Sequence, residues 1–456
     1  MKLPSKPPAD EEIGSILAEH TEEDMLARLK PYLEDVNSKY LHWNDILVRF
    51  YDKLTRKELR LLWSYAHLAR ASNTRLINLG GIQLRYVQTP QIEKMLHDID
   101  MKIGGKIMLE EEIQSSDMRK KYLVNSLMEE AIASSQLEGA ATTRLVAKQM
   151  LRENRKPRNI SEQMIYNNYF TMKYIRDYTK SGQPLTIDAI KQIHKIVSNG
   201  TMKDKTLEGN FRANNNIIVE SKEDGTVLHI PPDFNDIESL LNGLCSFANG
   251  ESSEYYLHPL IKAITLHYMI GYIHPFEDGN GRTARALFYW YLISRGYDYL
   301  EYIAISTAIK EAPVKYTLAY LYSEFDHNDI TYFVKFNLRS LNIAMESFNR
   351  YIEKTKAENK KIIGTVRYDQ RLNLRQADII ITISKSGRSI AVEEMQLRYH
   401  ITYETARTDL LKLVALGYMH KTSIGKKFIF ELDKEKCLNV QEQVHKYGIA
   451  NQRPAP

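Results

Sequence analysis

The chain has 456 residues and little with which to cross-link or anchor itself. Its two cysteines, Cys245 and Cys437, are far apart, and neither has a neighbour for a Cys-x-x-Cys pair. That argues against a disulfide framework or a cysteine zinc site and suits a reducing compartment. Long apolar runs are missing as well. The longest, residues 287–293, is bounded by Arg285 and Arg295, far short of the roughly 20 residues a membrane helix needs. The first residues, Met-Lys-Leu-Pro-Ser-Lys-Pro-Pro, lack the apolar stretch of a secretory leader. The expectation is a cytoplasmic protein with no membrane partner. Charge of one sign is weak too: 62 Lys and Arg stand against 57 Asp and Glu. Most of the excess falls in residues 371–434, with 11 basic and 7 acidic side chains.

What is present is ordinary globular composition, 43% apolar and 26% charged, at a length that suggests two or three domains. Residues 1–85 read as a helical region, with Ile13, Ile16 and Leu17, then Leu26, Leu29 and Leu33, at helical spacing. Trp43 and Trp63 read as core anchors. Residues 86–350 read as a second, mainly α-helical body. Its expected helices are 126–141, 161–180, 184–199, 234–248, 258–273, 280–295, 303–323 and 328–350. One stretch breaks the pattern: in 211–232, Ile217-Ile218-Val219 and Val227-Leu228-His229-Ile230 flank a Glu-Asp-Gly turn, which predicts a β-hairpin. Residues 351–370, rich in Lys, Glu and Asn, read as a solvated helix tail and linker. Residues 371–436 form a small separate unit and 437–456 a tail.

The chemistry concentrates in residues 274–285, His-Pro-Phe-Glu-Asp-Gly-Asn-Gly-Arg-Thr-Ala-Arg. Gly279-Asn280-Gly281 is a turn leading into a helix, whose exposed N–H groups and dipole make an anion cradle. Arg282 and Arg285, three apart, share a helix face and can fork onto phosphate oxygens. Asp278 stands where a carboxylate can hold Mg²⁺ bridging two phosphates. His274 is the nearby group able to take a hydroxyl proton at neutral pH. Base, metal ligand, cradle and clamp are the parts nucleotidyl transfer requires. A histidine metal cluster does not fit: His267 and His274 are seven apart, about 10.5 Å along a helix, and His258 is farther.

This string resembles the signature of the Fic family, His-Pro-Phe-x-Asp/Glu-Gly-Asn-Gly-Arg-x-x-Arg, without departure. Gly209, Phe211 and Arg212 before the hairpin and Pro231-Pro232 after it extend the likeness. The resemblance implies a helical bundle with a hairpin flap over the site, ATP and Mg²⁺ as cofactors, and transfer of AMP to a protein hydroxyl. It implies His274 as base, Asp278 as magnesium ligand, Gly279 to Arg282 as the α/β-phosphate site and Arg285 on the γ-phosphate. Tyr316 is the candidate adenine contact by position, with core packing as its alternative. Ser134-Ser135-Gln136-Leu137-Glu138-Gly139 matches the family's inhibitory motif, in which Glu138 pairs with Arg285 and blocks the γ-phosphate. Read alone, Ser134 and Glu138 are a polar stripe ending at a glycine cap. The flap residues Ile217, Ile218 and Val219 would dock a target, another protein or the chain itself, by strand addition.

Residues 374–385, 389–399 and 402–416 predict three short helices, and 418–421 and 427–432 two strands around Gly425. This resembles a winged helix-turn-helix. Thr402, Tyr403, Arg407 and Lys412, with Lys421, Lys426 and Lys427 on the wing, could meet DNA; protein contact is the alternative. Three other functions use the same parts: removal of AMP, transfer of UMP or phosphocholine, and a DNA-binding regulator whose core senses ATP. Assembly into an oligomer is left open.

Overall fold

The structure is a computed structural model that describes residues 3–18, 23–103, 116–221, 224–250, 255–424 and 427–437. It is mainly helical. In chain order its elements are α1 (Asp10–Ala18), α2 (Glu23–Lys39), α3 (Trp43–Phe50), α4 (Arg56–Ala71), β1 (Thr74–Leu79), β2 (Ile82–Val87), α5 (Pro90–Ile103), α6 (Ser116–Leu137), α7 (Arg144–Arg152), α8 (Ile160–Lys180) and α9 (Ile187–Ser198). There follow β3 (Val219–Glu220), β4 (Val227–His229), α10 (Ile237–Asn249), α11 (Pro259–Ile273), α12 (Asn280–Ser294), α13 (Ile305–Lys310), α14 (Pro313–Phe325) and α15 (Thr331–Tyr368). The last elements are α16 (Leu374–Ser386), β5 (Ile390–Ala391), α17 (Val392–Tyr399), α18 (Tyr403–Ala415), β6 (Met419–Ile424) and β7 (Lys427–Leu432). Two units result: Met1–Lys106 with Ser126–Ala344, and Ile107–Asn125 with Met345–Pro456.

In the first unit, α1 to α4 close over a core that includes Ile46, Phe50, Leu62 and the two expected anchors, Trp43 and Trp63. The mostly helical reading of 1–85 leaves out a hairpin at its end. Strands β1 and β2 pair antiparallel from Thr74↔Val87 to Leu79↔Ile82. Leu79 and Ile82 flank Gly80-Gly81, both left-handed at φ +57° and +96°, which suits a two-residue hairpin turn. The hairpin tip rests on α10, where a Cβ at Gly243 would come within 2.3 Å of the Gly80 nitrogen.

Helix α11 is buried on nearly every side, as is the N-terminal two-thirds of α12. Pro259 sits in the first turn of α11, and the His258 side chain caps it by accepting the Leu260 N–H. The segment carrying the chemistry therefore runs between two core helices, a rigid mounting for a site. The expected helix 303–323 is split into α13 and α14 by Pro313, which has no N–H to continue α13. The helix expected at 126–141 starts earlier, at Ser116, and ends at Leu137. In the flap only Val219–Glu220 and Val227–His229 pair, with a register shift between Val219 and Glu220; Ile217 and Ile218 precede the strand.

In the second unit, residues 351–368 are no linker but part of α15. Ile362 and Val366 of that stretch join Ile379, Ile383, Met395, Leu410 and Phe430 in one core. The sparse apolar stripe of the charged segment is what makes it a packed helix. Three strands form an antiparallel sheet in the order β5-β7-β6, beside α16, α17 and α18. Gly425 and Lys426 lie outside the described residues, as does 438–456 of the expected tail.

Candidate active site

The loop between α11 and α12 is closed by its own side chains. Phe276 is fully buried. The Asn280 Oδ1 accepts the Phe276 N–H at 3.0 Å and its Nδ2 donates to the Phe276 carbonyl at 2.7 Å. Asn280 thus clasps the loop instead of reaching out of it. Gly279 is left-handed at φ +84°, and a Cβ there would press on Val197 and His194 at 3.2 and 3.3 Å. With the loop so held, α12 begins at Asn280, and the N–H groups of its first turn have no intrahelical acceptor. These N–H groups, of Asn280, Gly281 and Arg282, fall where the anion cradle is expected, while the Gly279 N–H is taken by Asp278 Oδ1.

His274 caps α11 in the left-handed region, φ 48° and ψ 58°. Its Nδ1 lies 3.2 Å from the Gly271 carbonyl. A carbonyl only accepts, so in the neutral ring Nδ1 carries the proton and Nε2 keeps its lone pair. Burial pushes the imidazole down to about 4, against the smaller opposing pull of the Gly271 hydrogen bond. At neutral pH the ring is a free base with Nε2 as its accepting atom.

Opposite the cradle, α6 ends at Leu137 and left-handed Gly139, φ +103°, turns the chain away. Glu138 sits in that turn. Its Oε1 accepts from Arg285 Nη2 at 2.7 Å, while Arg285 Nε donates to Ser134 Oγ at 2.8 Å and Nη2 to the Ser134 carbonyl at 3.0 Å. The Arg285 side chain is 2% exposed and that of Glu138 27%. Glu138 also covers the cradle: a Cβ on Gly281 would come within 2.1 Å of Oε1. The carboxylate therefore stands where an anion held by Gly281 and Arg285 would stand.

The other arginine is placed differently. Arg282 is wholly buried; Nη1 donates to the Val197 carbonyl at 3.2 Å, Nη2 lies 3.4 Å from Asp278 Oδ2, and Nε has no partner. Asp278 is 58% exposed, and its Oδ1 accepts the Gly279 N–H at 2.6 Å. Among the described residues no three His, Cys, Asp or Glu side chains converge on a metal position. A single exposed carboxylate beside an anion cradle nevertheless fits Mg²⁺, which is commonly held by one or two carboxylates, substrate phosphates and water.

The Tyr316 hydroxyl meets His267 Nε2 at 2.8 Å, and its ring packs with Tyr320, Phe333 and Phe336 at 5.3, 6.0 and 5.7 Å. With the hydroxyl engaged and the ring set among these aromatics, the contacts of Tyr316 are those of the packing alternative. His267 is consumed by the same contact.

Two further residues shape the site. The His194 Nδ1 accepts the Gly209 N–H at 3.0 Å, so Nε2 is protonated and donates to the Asp278 carbonyl at 2.8 Å; the ring stacks on Phe276 at 3.7 Å. Sequence reading passed over it, although a histidine among Ile190, Ile193 and Val197 on a buried helix face needs partners for both nitrogens. Arg212, singled out only through the family likeness, donates Nε to the His274 carbonyl at 3.0 Å, Nη1 to the Asn214 carbonyl at 2.9 Å and Nη2 to the Pro232 carbonyl. It fastens both ends of the flap to the backbone of the base. His229 of β4 adds a third tie, 2.7 Å from the Tyr272 carbonyl. Ile218 on the flap is exposed.

Residues 184–292 match the model of the Fic/DOC family. The chain is 27% identical over 189 residues to a protein adenylyltransferase Fic of Nematostella vectensis, covering 39% of this chain and 37% of that one. It is 36% identical over 126 residues to the protein adenylyltransferase Fic of Drosophila melanogaster, covering 28% and 23%. The alignments thus span well under half the length of these relatives. A Fic family protein from Desulfovibrio desulfuricans G20 has the same fold, with TM-score 0.51 and 19% identity over 76% of this chain and 97% of that one.

Proposed function

The chain carries a Fic domain, and from that premise we propose that it is a protein adenylyltransferase held in check by Glu138. The observation that carries the proposal is the convergence on one loop of a neutral histidine with a free Nε2, a helix-start anion cradle and the Arg285 clamp. ATP would lie with its α- and β-phosphates on the first turn of α12 and its γ-phosphate on Arg285. Asp278 would hold Mg²⁺, which supplies charge neutralisation on the phosphates. A target hydroxyl oxygen attacks the α-phosphorus. The bond from the α-phosphorus to the oxygen bridging to the β-phosphate breaks, pyrophosphate departs, and the hydroxyl proton passes to His274 Nε2. Arg212 and His194 keep base and loop in register.

Glu138 opposes this by occupying Arg285 and covering Gly281 together, so a γ-phosphate cannot reach its seat. The wild-type chain should be nearly silent and the Glu138→Gly variant active. The test is incubation of that variant with Mg-ATP labelled on the α- or the γ-phosphate, followed by mass spectrometry of labelled proteins. Label from the α-phosphate alone on a Ser, Thr or Tyr, absent in Glu138→Gly, His274→Asn, supports AMP transfer. Absence of α-label from every protein, with ATP bound, rejects it. Removal of AMP would need an AMP-modified protein as substrate, and transfer of UMP or phosphocholine a UTP or CDP-choline donor, so each is tested in a separate arm.

We read the C-terminal unit as a winged helix for protein contact. Arg407 is paired with Glu404 at 2.9 Å and Lys421 lies over the Phe428 ring at 3.4 Å, so neither is a free phosphate ligand. Leu374, Leu397, Tyr403 and Phe428 are exposed in this unit, and apolar surface of that kind suits a protein partner better than DNA.

A further inference from the structure

Ser126, Glu130, Ser134 and Glu138 recur every fourth residue along α6 and its closing turn, so they share a face. Each is bound to the core. Ser126 Oγ donates to the Tyr302 carbonyl at 2.7 Å. Glu130 accepts from the Ser306 N–H at 3.0 Å and from the Ser306 hydroxyl, and the Tyr289 hydroxyl stands 2.9 Å from its Oε2. Ser134 and Glu138 take Arg285, as described above. The partners match in spacing: Tyr289 and Arg285 are four apart on α12, so Glu130 faces the first while Ser134 and Glu138 face the second. Ser126, Glu130 and Ser134 are buried.

Glu130 has no part in the proposed chemistry, yet a carboxylate is costly to bury unless its oxygens are satisfied. Desolvation raises its pKa, against the donors from Ser306 and Tyr289 and the positive charge of Arg285. Such a group tolerates one position of α6 and penalises others. A slip of α6 by one residue would turn its face by about 100° and move it by 1.5 Å, which takes Glu138 off both Arg285 and Gly281. Glu130 lies two turns, about 12 Å, from Glu138 along the same helix.

We propose that Glu130 is a positioning residue for the brake: its seat on Ser306 and Tyr289 sets the register of α6 and thereby places Glu138 over Gly281 and on Arg285. The proposal rests on the reading of Glu138 as inhibitory. Losing Glu130 loosens α6 without freeing it, because Ser135 Oγ still donates to the Met164 carbonyl at 3.2 Å and Lys310 to Gln136 at 2.6 Å.

The test compares initial rates of α-label incorporation by the full chain, wild type, Glu130→Gln, Ser306→Ala and Glu138→Gly. The amide of Glu130→Gln keeps the shape but loses the charge and one of the two accepting oxygens that Ser306 and Tyr289 meet. With Glu138 intact, its rate should rise roughly 5–30-fold, the equivalent of losing about 1–2 kcal/mol of docking; Ser306→Ala should rise less. Glu130→Gln added to Glu138→Gly should give no further gain, since both act through one contact. A merely structural glutamate would lower activity when replaced, not raise it. If Glu138→Gly rises while Glu130→Gln and Ser306→Ala stay at the wild-type rate, the proposal is overturned. Multiplicative gains in the double variant overturn it as well. Should Glu130→Gln fold poorly, Ser306→Ala decides alone, a rise supporting the proposal and an unchanged rate overturning it. A flat Glu138→Gly overturns the brake itself, and this proposal with it.

Discussion

Replacing Glu138 by glycine removes one carboxylate that does two things. Its Oε1 is 2.7 Å from Arg285 Nη2 and lies over the Gly281 backbone. A hydrogen bond to a charged group contributes about 1.5–3 kcal/mol; at 1.4 kcal/mol per tenfold, freeing the clamp is worth roughly 10–150-fold. Arg285 is buried but Glu138 is 27% exposed, and partial solvation screens the pair, so the lower half of that range is expected. The new glycine adds little helix penalty, because Glu138 follows the last helical residue. The assay is the initial rate of α-label transfer at saturating Mg-ATP, where a change in phosphate geometry appears in kcat. Glu138→Asp should rise less, since the shorter side chain weakens the contact without abolishing it. In Glu138→Gly, Arg285→Ala the gain should vanish, as the released clamp is missing. An unchanged rate in Glu138→Gly, with ATP bound and the melting temperature intact, would refute the competition argument and leave 134–139 as a helix end.

Other outcomes follow from the same contacts. His274→Asn, a residue that tolerates left-handed backbone, should lower transfer by roughly 10²–10⁴-fold with ATP affinity unchanged by calorimetry. Because burial holds His274 down at about 4, the folded ring stays an unprotonated base through pH 7 and 6. Transfer by Glu138→Gly should therefore hold as pH falls to about 5 and drop only as the ring gains its proton nearer 4; a fall centred near 6.5 would mean a solvated base. Asp278→Ala should abolish the magnesium dependence of ATP binding, and Arg282→Ala should weaken binding by about 1.5–3 kcal/mol; unchanged Mg-ATP affinity in both would misplace the cradle. Gly243→Ala should destabilise the first unit by about 1–3 kcal/mol in thermal melts, since its methyl would meet the Gly80 backbone.

The site was legible in sequence where its parts are contiguous. His274, Asp278, the Gly-Asn-Gly turn and both arginines lie within twelve residues, and the order alone limits what they can build. The β1–β2 hairpin was also written there, as Gly80-Gly81 between alternating apolar residues, Ile77 and Leu79 before and Ile82, Leu84 and Tyr86 after, but was missed because helical spacing before it set the reading. The linker at 351–370 was misread for the opposite reason: charge outnumbers the few apolar residues, and Ile362 and Val366 disclose a packed face only when their partners in α16 and the sheet are known.

Roles conferred by partners distant in sequence could not be seen. Arg282 and Arg285 look equivalent on a helix wheel, yet one is buried against Val197 and the other closes on Glu138. Asn280 looks like a side-chain phosphate ligand, yet its amide clasps Phe276 and only its backbone N–H is left for the proposed cradle. Glu130 lies on α6 and Glu138 in the turn that closes it, both turned toward α12. What separates them is whether α12 presents a tyrosine or an arginine and whether water reaches the contact. A carboxylate locked between Ser306 and Tyr289 fixes a helix, whereas a quarter-exposed one on Arg285 can be exchanged for a phosphate. The proposed brake would need both, because a releasable contact blocks the clamp only while something less releasable keeps it aimed.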